Sequence, residues 1–422
     1  MGLLFVAMMV RTLFIPLQGI HEWRQADTLF AGYFYCTENT NFFKPHIGPR
    51  EGTSGFAVGE LPLFSYILSL KCKATGHWDE VTPKLICYVI FFLVVFLWGL
   101  FFFNQEPKEK KNWWIWGALF AGAPISLMYL PLPIPDGFSL ATIALSGLLW
   151  QRSKKSFDFY SWLAIIIFFI TFLIRPYYVP LLFLVSRERR QQLVTLALCS
   201  AGYLVWFLYW VPQSEMYQYY GTKLRRPPAA LLKEIPAAFP ELLWKILRDH
   251  FNFLGLIFFV KGARKHRFLL GLWAASLLLI ISLRGDHFVI HSYYLFAGAL
   301  ISFYLMYEGY FLSSQKWRDW VIALMLILAL AAIQHQWAPK RNNLGIELRE
   351  KVWAVTRATD HVVIYMGPSP EWMYHALRAG WSLAPELYKG PEMCPEKVQF
   401  SVRQVDHHIV VEACQNKMEP RP

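Results

Sequence analysis

An unbroken apolar run from Leu85 to Phe103, with no charged side chain in it, constrains this chain more than any other feature. Its length matches the hydrocarbon layer of a bilayer, which a helix crosses in about 20 residues. In water, a helix that is apolar on every face must be buried on every face. Comparable runs recur at Trp162 to Ile174 and Trp320 to Ile333. The 422 residues are 17% charged, where a soluble domain carries about a quarter. The chain therefore reads as an all-α polytopic membrane protein through its apolar part.

The net charge of +12 would suit nucleic acid if it formed a continuous basic groove. It falls instead in short clusters between apolar runs: Lys108, Lys110 and Lys111; Arg152, Lys154 and Lys155; Arg187, Arg189 and Arg190; Lys261 to Arg267; Lys316 with Arg318. That is the positive-inside pattern of cytoplasmic loops, and it argues for membrane lipids and against a nucleic-acid partner. With these clusters cytoplasmic, helices alternate at roughly 1–20, 84–103, 113–130, 137–150, 160–175, 176–186, 192–211, 251–260, 268–283, 291–312 and 319–337. This gives about eleven crossings, with the N-terminus inside and the C-terminus outside. Residues 1–20 read as an uncleaved first helix. No basic segment precedes the apolar stretch, Arg11 interrupts it, and no small-x-small cleavage site ends it. The helices at 137–150, 176–186 and 251–260 look short for a simple span, which is tolerated where a helix lines a polar cavity.

The outer segments are then 21–83, the turn 131–136, the loop 212–250, 284–290 and the tail from about 338. In the first, Ala26, Leu29, Phe30, Tyr33 and Phe34 share one face at helical spacing, predicting an amphipathic interfacial helix over Arg24 to Tyr35. A second starts near Pro62, a favoured first helical residue, and runs through Leu63 to Leu70. The tail changes pattern: a strand over His361 to Met366, a turn at Gly367 to Pro370, a helix over Glu371 to Arg378, then strands at Val398 to Val402 and His408 to Val411. The expected division is a membrane domain over 1–337 and a small α/β domain over 338–422. Cys36 and Cys72 share the first loop, and Cys394 and Cys414 the tail, so disulfides are open to both pairs in an oxidising compartment. Cys87 and Cys199 fall inside spans, and no motif demands a metal.

Ionisable residues beside a membrane are costly to hold and usually have a use. Here they gather at outer helix ends. His21, Glu22, Arg24 and Asp27 follow the first helix; Asp136 follows a Pro131 to Pro135 turn; Arg175 precedes Pro176; His291 and Tyr293 open a late helix. Carboxylates act as general bases, and Arg, His and Tyr hold phosphate. Plainer roles compete at each position. Arg24 can pair with Asp27 three residues on, Asp136 can be an N-cap, and Arg175 can snorkel. His291 and Tyr293 suit an interfacial belt, and Glu60 can simply favour the start of the helix that follows it.

At these same residues the chain resembles the GT-C glycosyltransferases, above all the bacterial branch related to the protein O-mannosyltransferases and the lipid A aminoarabinose transferase. The string His21-Glu22-Trp23-Arg24-Gln25-Ala26-Asp27-Thr28 is the most specific part. Gly59-Glu60-Leu61-Pro62-Leu63 looks like the Glu/Lys-Pro-Pro-Leu motif, and His291-Ser292-Tyr293-Tyr294 like the His-x-Tyr-Tyr start of a late helix. Asp136, Arg175-Pro176 and Arg378-Ala379-Gly380-Trp381 agree in order, so the likeness runs over nearly the whole chain.

The resemblance implies a GT-C fold in a bacterial inner (cytoplasmic) membrane, with the tail domain periplasmic. It implies an inverting transfer from a polyprenyl-phosphate-linked sugar to a hydroxyl of a cell-envelope glycan, lipid or protein. Relatives carry Asp-Glu where this chain has His21-Glu22. Strict register puts His21 on the base, Glu22 is the carboxylate one residue along, and Asp27 stands behind it. Asp136 becomes a second acid, Arg175 and His291 become phosphate-side groups, and Arg24, Glu60 and Tyr293 line the cavity. Some of this class use a divalent cation such as Mg or Mn, although no compact carboxylate cluster here demands one. The rival reading is a transporter or flippase of a lipid-linked sugar, which predicts inverted repeats and mid-membrane charges that the sequence lacks.

Overall fold

The computed structural model describes residues 9–10, 13, 22–38, 40–47, 56, 59–107, 111–155, 157–186, 188–214, 236, 239–284, 292–337, 343–357, 361–366, 374–376, 379–382, 388, 398–405 and 408–414. Packing divides the chain into two units, one of Met1–Val10, Lys84–Leu208 and Lys223–Ala338, the other of Arg11–Pro83, Tyr209–Thr222 and Pro339–Pro422. The division is not serial. The first loop falls with the tail instead of with the helices beside it in sequence, where a single break at 337/338 was expected.

Helices α1 (Glu22–Thr37) and α2 (Leu63–Thr75) are the two expected first-loop helices. The apolar stripe read from spacing is the buried face, with Ala26, Leu29, Phe30 and Phe34 inside. α2 follows Pro62 and stops at Gly76, whose φ of 71° lets its N–H return to the Cys72 carbonyl. The α1 backbone comes close to its neighbours at Gly32. A Cβ there would stand 3.0 Å from the Trp78 ring and 3.1 Å from the Ser65 carbonyl. A Cys36–Cys72 disulfide, with the Cα atoms 5.8 Å apart, fastens the two helices.

The helical unit begins with α3 (Val81–Phe103). Among the described residues, α3 and the stretch Arg189–Gln213 are long and apolar enough to cross a bilayer by length and composition. The expected helix 113–130 is broken into α4 (Trp113–Gly122) and α5 (Pro124–Tyr129) at Ala123, because Pro124 has no N–H to donate and forces the residue before it to extend. α6 (Pro135–Arg152) is longer than the expected 137–150, with Pro135 in its first turn. α7 (Phe159–Ile174) starts from an Asp158 cap. The helix expected at 176–186 is instead a 3-10 turn, Pro176–Leu181, leading into α8 (Leu182–Val185), since Pro176 and Pro180 lack the donors an α-helix needs.

α9 (Arg189–Val205) continues into a π turn at Trp206–Trp210. The helix expected at 251–260 is α10 (Gly255–Lys265); before it, Asn252 and Phe253, at φ 47° and 55°, form a left-handed turn. α11 (Arg267–Arg284), α12 (Phe296–Phe311) and α13 (Gln315–Trp337) follow. α10 and α12 touch backbone to backbone. A Cβ at Gly262 would overlap the Leu305 carbonyl, and one at Gly309 the Phe258 carbonyl.

The tail opens with α14 (Asn343–Val355), which the sequence reading did not anticipate. Four strands follow, β1 (His361–Tyr365), β2 (Ala379–Ser382), β3 (Phe400–Val405) and β4 (His408–Ala413), in the order β2-β1-β3-β4. β1 runs parallel to β2 and β3, and β3 pairs antiparallel with β4. Val362 to Ile364, Val402 and Ile409 are buried. Lys351 of α14 donates to the Ile409 carbonyl at 2.7 Å, and Glu347 accepts from the Ile409 N–H at 3.0 Å, docking the helix on β4. Of the expected helix 371–378, residues 374–376 are described and helical. β2 had been missed, and the turn 367–370 lies outside the described residues. Cys414 is disulfide-bonded, and Cys394, its expected partner, also lies outside them.

Candidate functional site

Within the helical unit the sequence-predicted Asp136 and Arg175 meet. Asp136 lies in the first turn of α6, but Ile134 is the cap and no side chain serves there, so the capping role drops out. One carboxylate oxygen, Oδ2, accepts from Arg175 Nε at 3.2 Å and Nη2 at 2.9 Å. The other, Oδ1, accepts from the Tyr177 and Tyr178 hydroxyls, each at 2.7 Å. The 3-10 turn after α7 brings both tyrosines back onto the residue that Arg175 already holds. Asp136 is 0% exposed and Arg175 3%, which rules out snorkelling. A carboxylate has about four acceptor sites, and four donors fill them. Tyr177 packs edge-on against Tyr294 with ring centres 4.8 Å apart. His291 and the Tyr293 side chain lie outside what the structure describes.

The same unit holds a polar group that the sequence reading left inside the second outer loop. Asp249 and His250 are wholly buried, and Arg248 donates to Asp249 at 3.0 Å. Neither ring nitrogen of His250 has a hydrogen-bond partner among the described residues. The left-handed turn that follows is held by Asn252, whose amide donates to the Gly122 carbonyl at 3.1 Å and the Met325 carbonyl at 2.6 Å. A run of ionisable residues next to an apolar helix was the available signal.

The unit formed by the first loop and the tail carries the other candidates. Glu22 occupies the first turn of α1, where unpaired N–H groups and the helix dipole favour a carboxylate. Its Oε1 lies 2.8 Å from Nε2 of His375, a tail residue not singled out from the sequence. The Glu22 side chain is 18% exposed and that of His375 1%. Arg24 pairs with Glu60 across the loop, so two expected site residues do come together. Asp27 is buried on α1. Arg349 pairs with Glu80 and donates through Nε to the His375 carbonyl at 3.2 Å. Trp353 donates to the Ala376 carbonyl at 2.9 Å. Burial pushes the Tyr374 phenol well above its ordinary range, so it stays protonated against the Phe30 ring. His21 lies outside the described residues. Among those described, no three His, Cys, Asp or Glu side chains converge as metal ligands.

No model of a known protein family matches the sequence, and no curated protein does. The architecture is nevertheless that of the GT-C fold. It is similar to ArnT from Cupriavidus metallidurans bound to undecaprenyl phosphate, at 9% identity and a TM-score of 0.52, over 96% of this chain and 93% of that one. The apo form of the same protein aligns over the same shares, at 12% identity and a TM-score of 0.41.

Proposed function

We propose that the chain is an inverting glycosyltransferase that moves a sugar from a polyprenyl-phosphate-linked donor to a hydroxyl of a cell-envelope glycan, lipid or protein. What carries the reading is a part-exposed carboxylate, Glu22, heading the first-loop helix of a GT-C fold whose similar structure, ArnT, holds undecaprenyl phosphate. Glu22 accepts the proton as the acceptor oxygen attacks the anomeric carbon. The new carbon–oxygen bond forms on one face while the bond to the phosphate oxygen breaks on the other. The bonding pair leaves with the polyprenyl phosphate, and configuration inverts. Arg24, His291, Tyr293 and His21 are the groups assigned to donor binding, with Glu60 orienting Arg24. Asp27 is the reserve carboxylate on the same helix. Asp136, its acceptor sites filled by Arg175 and two tyrosines, forms a buried clamp with Arg175.

The same reading puts the protein in a bacterial inner membrane, with the first loop and the tail in the periplasm. The Cys36–Cys72 disulfide in one segment and the bonded Cys414 in the other agree with an oxidising compartment. Mass spectrometry of envelope glycans and lipids, with and without the gene, tests the reaction. Loss of one sugar from one linkage is the expected result. A lipid-linked intermediate that builds up with every linkage intact would overturn the transferase reading in favour of transport.

A further inference from the structure

We infer that His375, supplied by the tail, is a positioning residue for Glu22. The inference rests on the reading of Glu22 as the proton acceptor and extends it to a residue 353 positions further along the chain. Nε2 of His375 stands 2.8 Å from Glu22 Oε1, and Nδ1 has no hydrogen-bond partner among the described residues. A proton on Nδ1 would find no acceptor among the described residues, whereas an under-satisfied acceptor is better tolerated. A proton on Nε2 therefore suits the site, where it is donated to Oε1.

That one bond changes what Glu22 can do. A glutamate on a helix's first turn samples many rotamers, and a base must meet its proton within a narrow geometry. Fixing Oε1 on the ring fixes Oε2 as well and leaves it free to receive the acceptor proton. His375 is itself anchored from behind: Arg349 of α14 grips its carbonyl while paired with Glu80, and Trp353 holds the next carbonyl. The tail thus completes the base, in addition to any part it has in binding the acceptor.

The test follows the sugar linkage lost on gene deletion, measured as its rate of reappearance when full-length variants are expressed to equal levels. His375→Phe keeps the volume and removes the donor. It should slow product formation by about 10- to 100-fold. His375→Gln, whose amide nitrogen reaches the position of Nε2, should recover to within about threefold, whereas His375→Asn, which stops short at Nδ1, should not. In a Glu22→Gln background His375→Phe should add no further loss. Should the Phe variant not accumulate, the Gln and Asn pair decides alone: Gln active with Asn impaired supports the inference, and equal activity overturns it. A Phe variant at the wild-type rate, or Phe and Gln equally impaired, also overturns it while leaving Glu22 in place. An active Glu22→Gln protein would remove the base assignment itself.

Discussion

Glu22 and Asp136 are both carboxylates in the first turn of a helix, both are preceded in sequence by an apolar stretch, and both had been read as catalytic. Their surroundings differ. Asp136 is sealed from solvent with four donors on two oxygens, two from Arg175 and one from each of two tyrosines. Among the described residues, Glu22 is part-exposed and meets one imidazole, on one oxygen. A carboxylate whose acceptor sites are all filled holds its donors in place. One with an empty site in reach of solvent can take a proton. Donor count and access separate the two where motif context does not.

The largest expected effect falls on Glu22. Glu22→Gln keeps the shape and removes the basicity, so product should fall by about 100- to 10,000-fold while the protein accumulates normally. Envelope mass spectrometry at matched protein level measures it, and ordinary turnover would shift the role to Asp27. Asp136 should behave in the opposite way. Arg175→Met strands a buried charge and should lower stability by about 3–5 kcal/mol, read as lost accumulation and a lower Tm. Adding Asp136→Asn removes the bare charge, keeps an oxygen for both tyrosine hydroxyls, and should restore most of that stability. If the double variant accumulates but makes no product, Asp136 is more than a clamp and the contrast collapses.

How far this was legible from the chain depends on the range of the interaction. Local patterns carried well. The stripe Ala26, Leu29, Phe30 and Phe34 is the buried face of α1, Pro62 precedes α2, and the runs behind α3 and α9 are helices. Proline chemistry was under-read at Pro124 and Pro180, where a missing N–H broke a helix that hydropathy alone would continue. The pairing of Asp136 with Arg175 joins ends of consecutive helices, so a signal existed in their opposite charges at neighbouring turns. Nothing comparable pointed to His375. It lies in a short tail helix, and neither periodicity nor charge says which loop a tail residue faces. Arg248 to His250 escaped for a similar reason, since a stretch taken as loop offers no face to assign.

The way each carboxylate is supported sharpens the contrast further. Asp136 depends on its own ligands, whereas Glu22 rides on a helix stapled to its neighbour by Cys36–Cys72. Cys36→Ser should therefore destabilise the first-loop and tail unit by about 2–4 kcal/mol. The melting temperature of the purified full-length protein, with and without reductant, measures this. Wild type should fall toward the variant on reduction. If the variant melts with the oxidised wild type, the staple contributes nothing and the packing at Gly32 holds α1 alone.

The smallest effect comes from a carboxylate between the two extremes. Glu412 on β4 accepts from Arg403 at 2.9 Å and from the Tyr388 hydroxyl at 2.6 Å, with its side chain 28% exposed. Hydrogen bonds from Arg403, then Tyr388, hold its pKa below its ordinary value of 4.5. A folded-state pKa below the unfolded one contributes stability that is present above about pH 4.5 and lost as the pH falls through the folded value. Glu412→Gln should therefore lower the melting temperature near neutral pH and converge with wild type in acid. Partial exposure keeps the difference to about 1 kcal/mol or less. Comparing variant with wild type at each pH cancels titrations elsewhere in the chain. A gap that stays constant from neutral to acid would mean that the donors around Glu412 do not bias its proton, and donor count would then fail as the measure that separates Asp136 from Glu22.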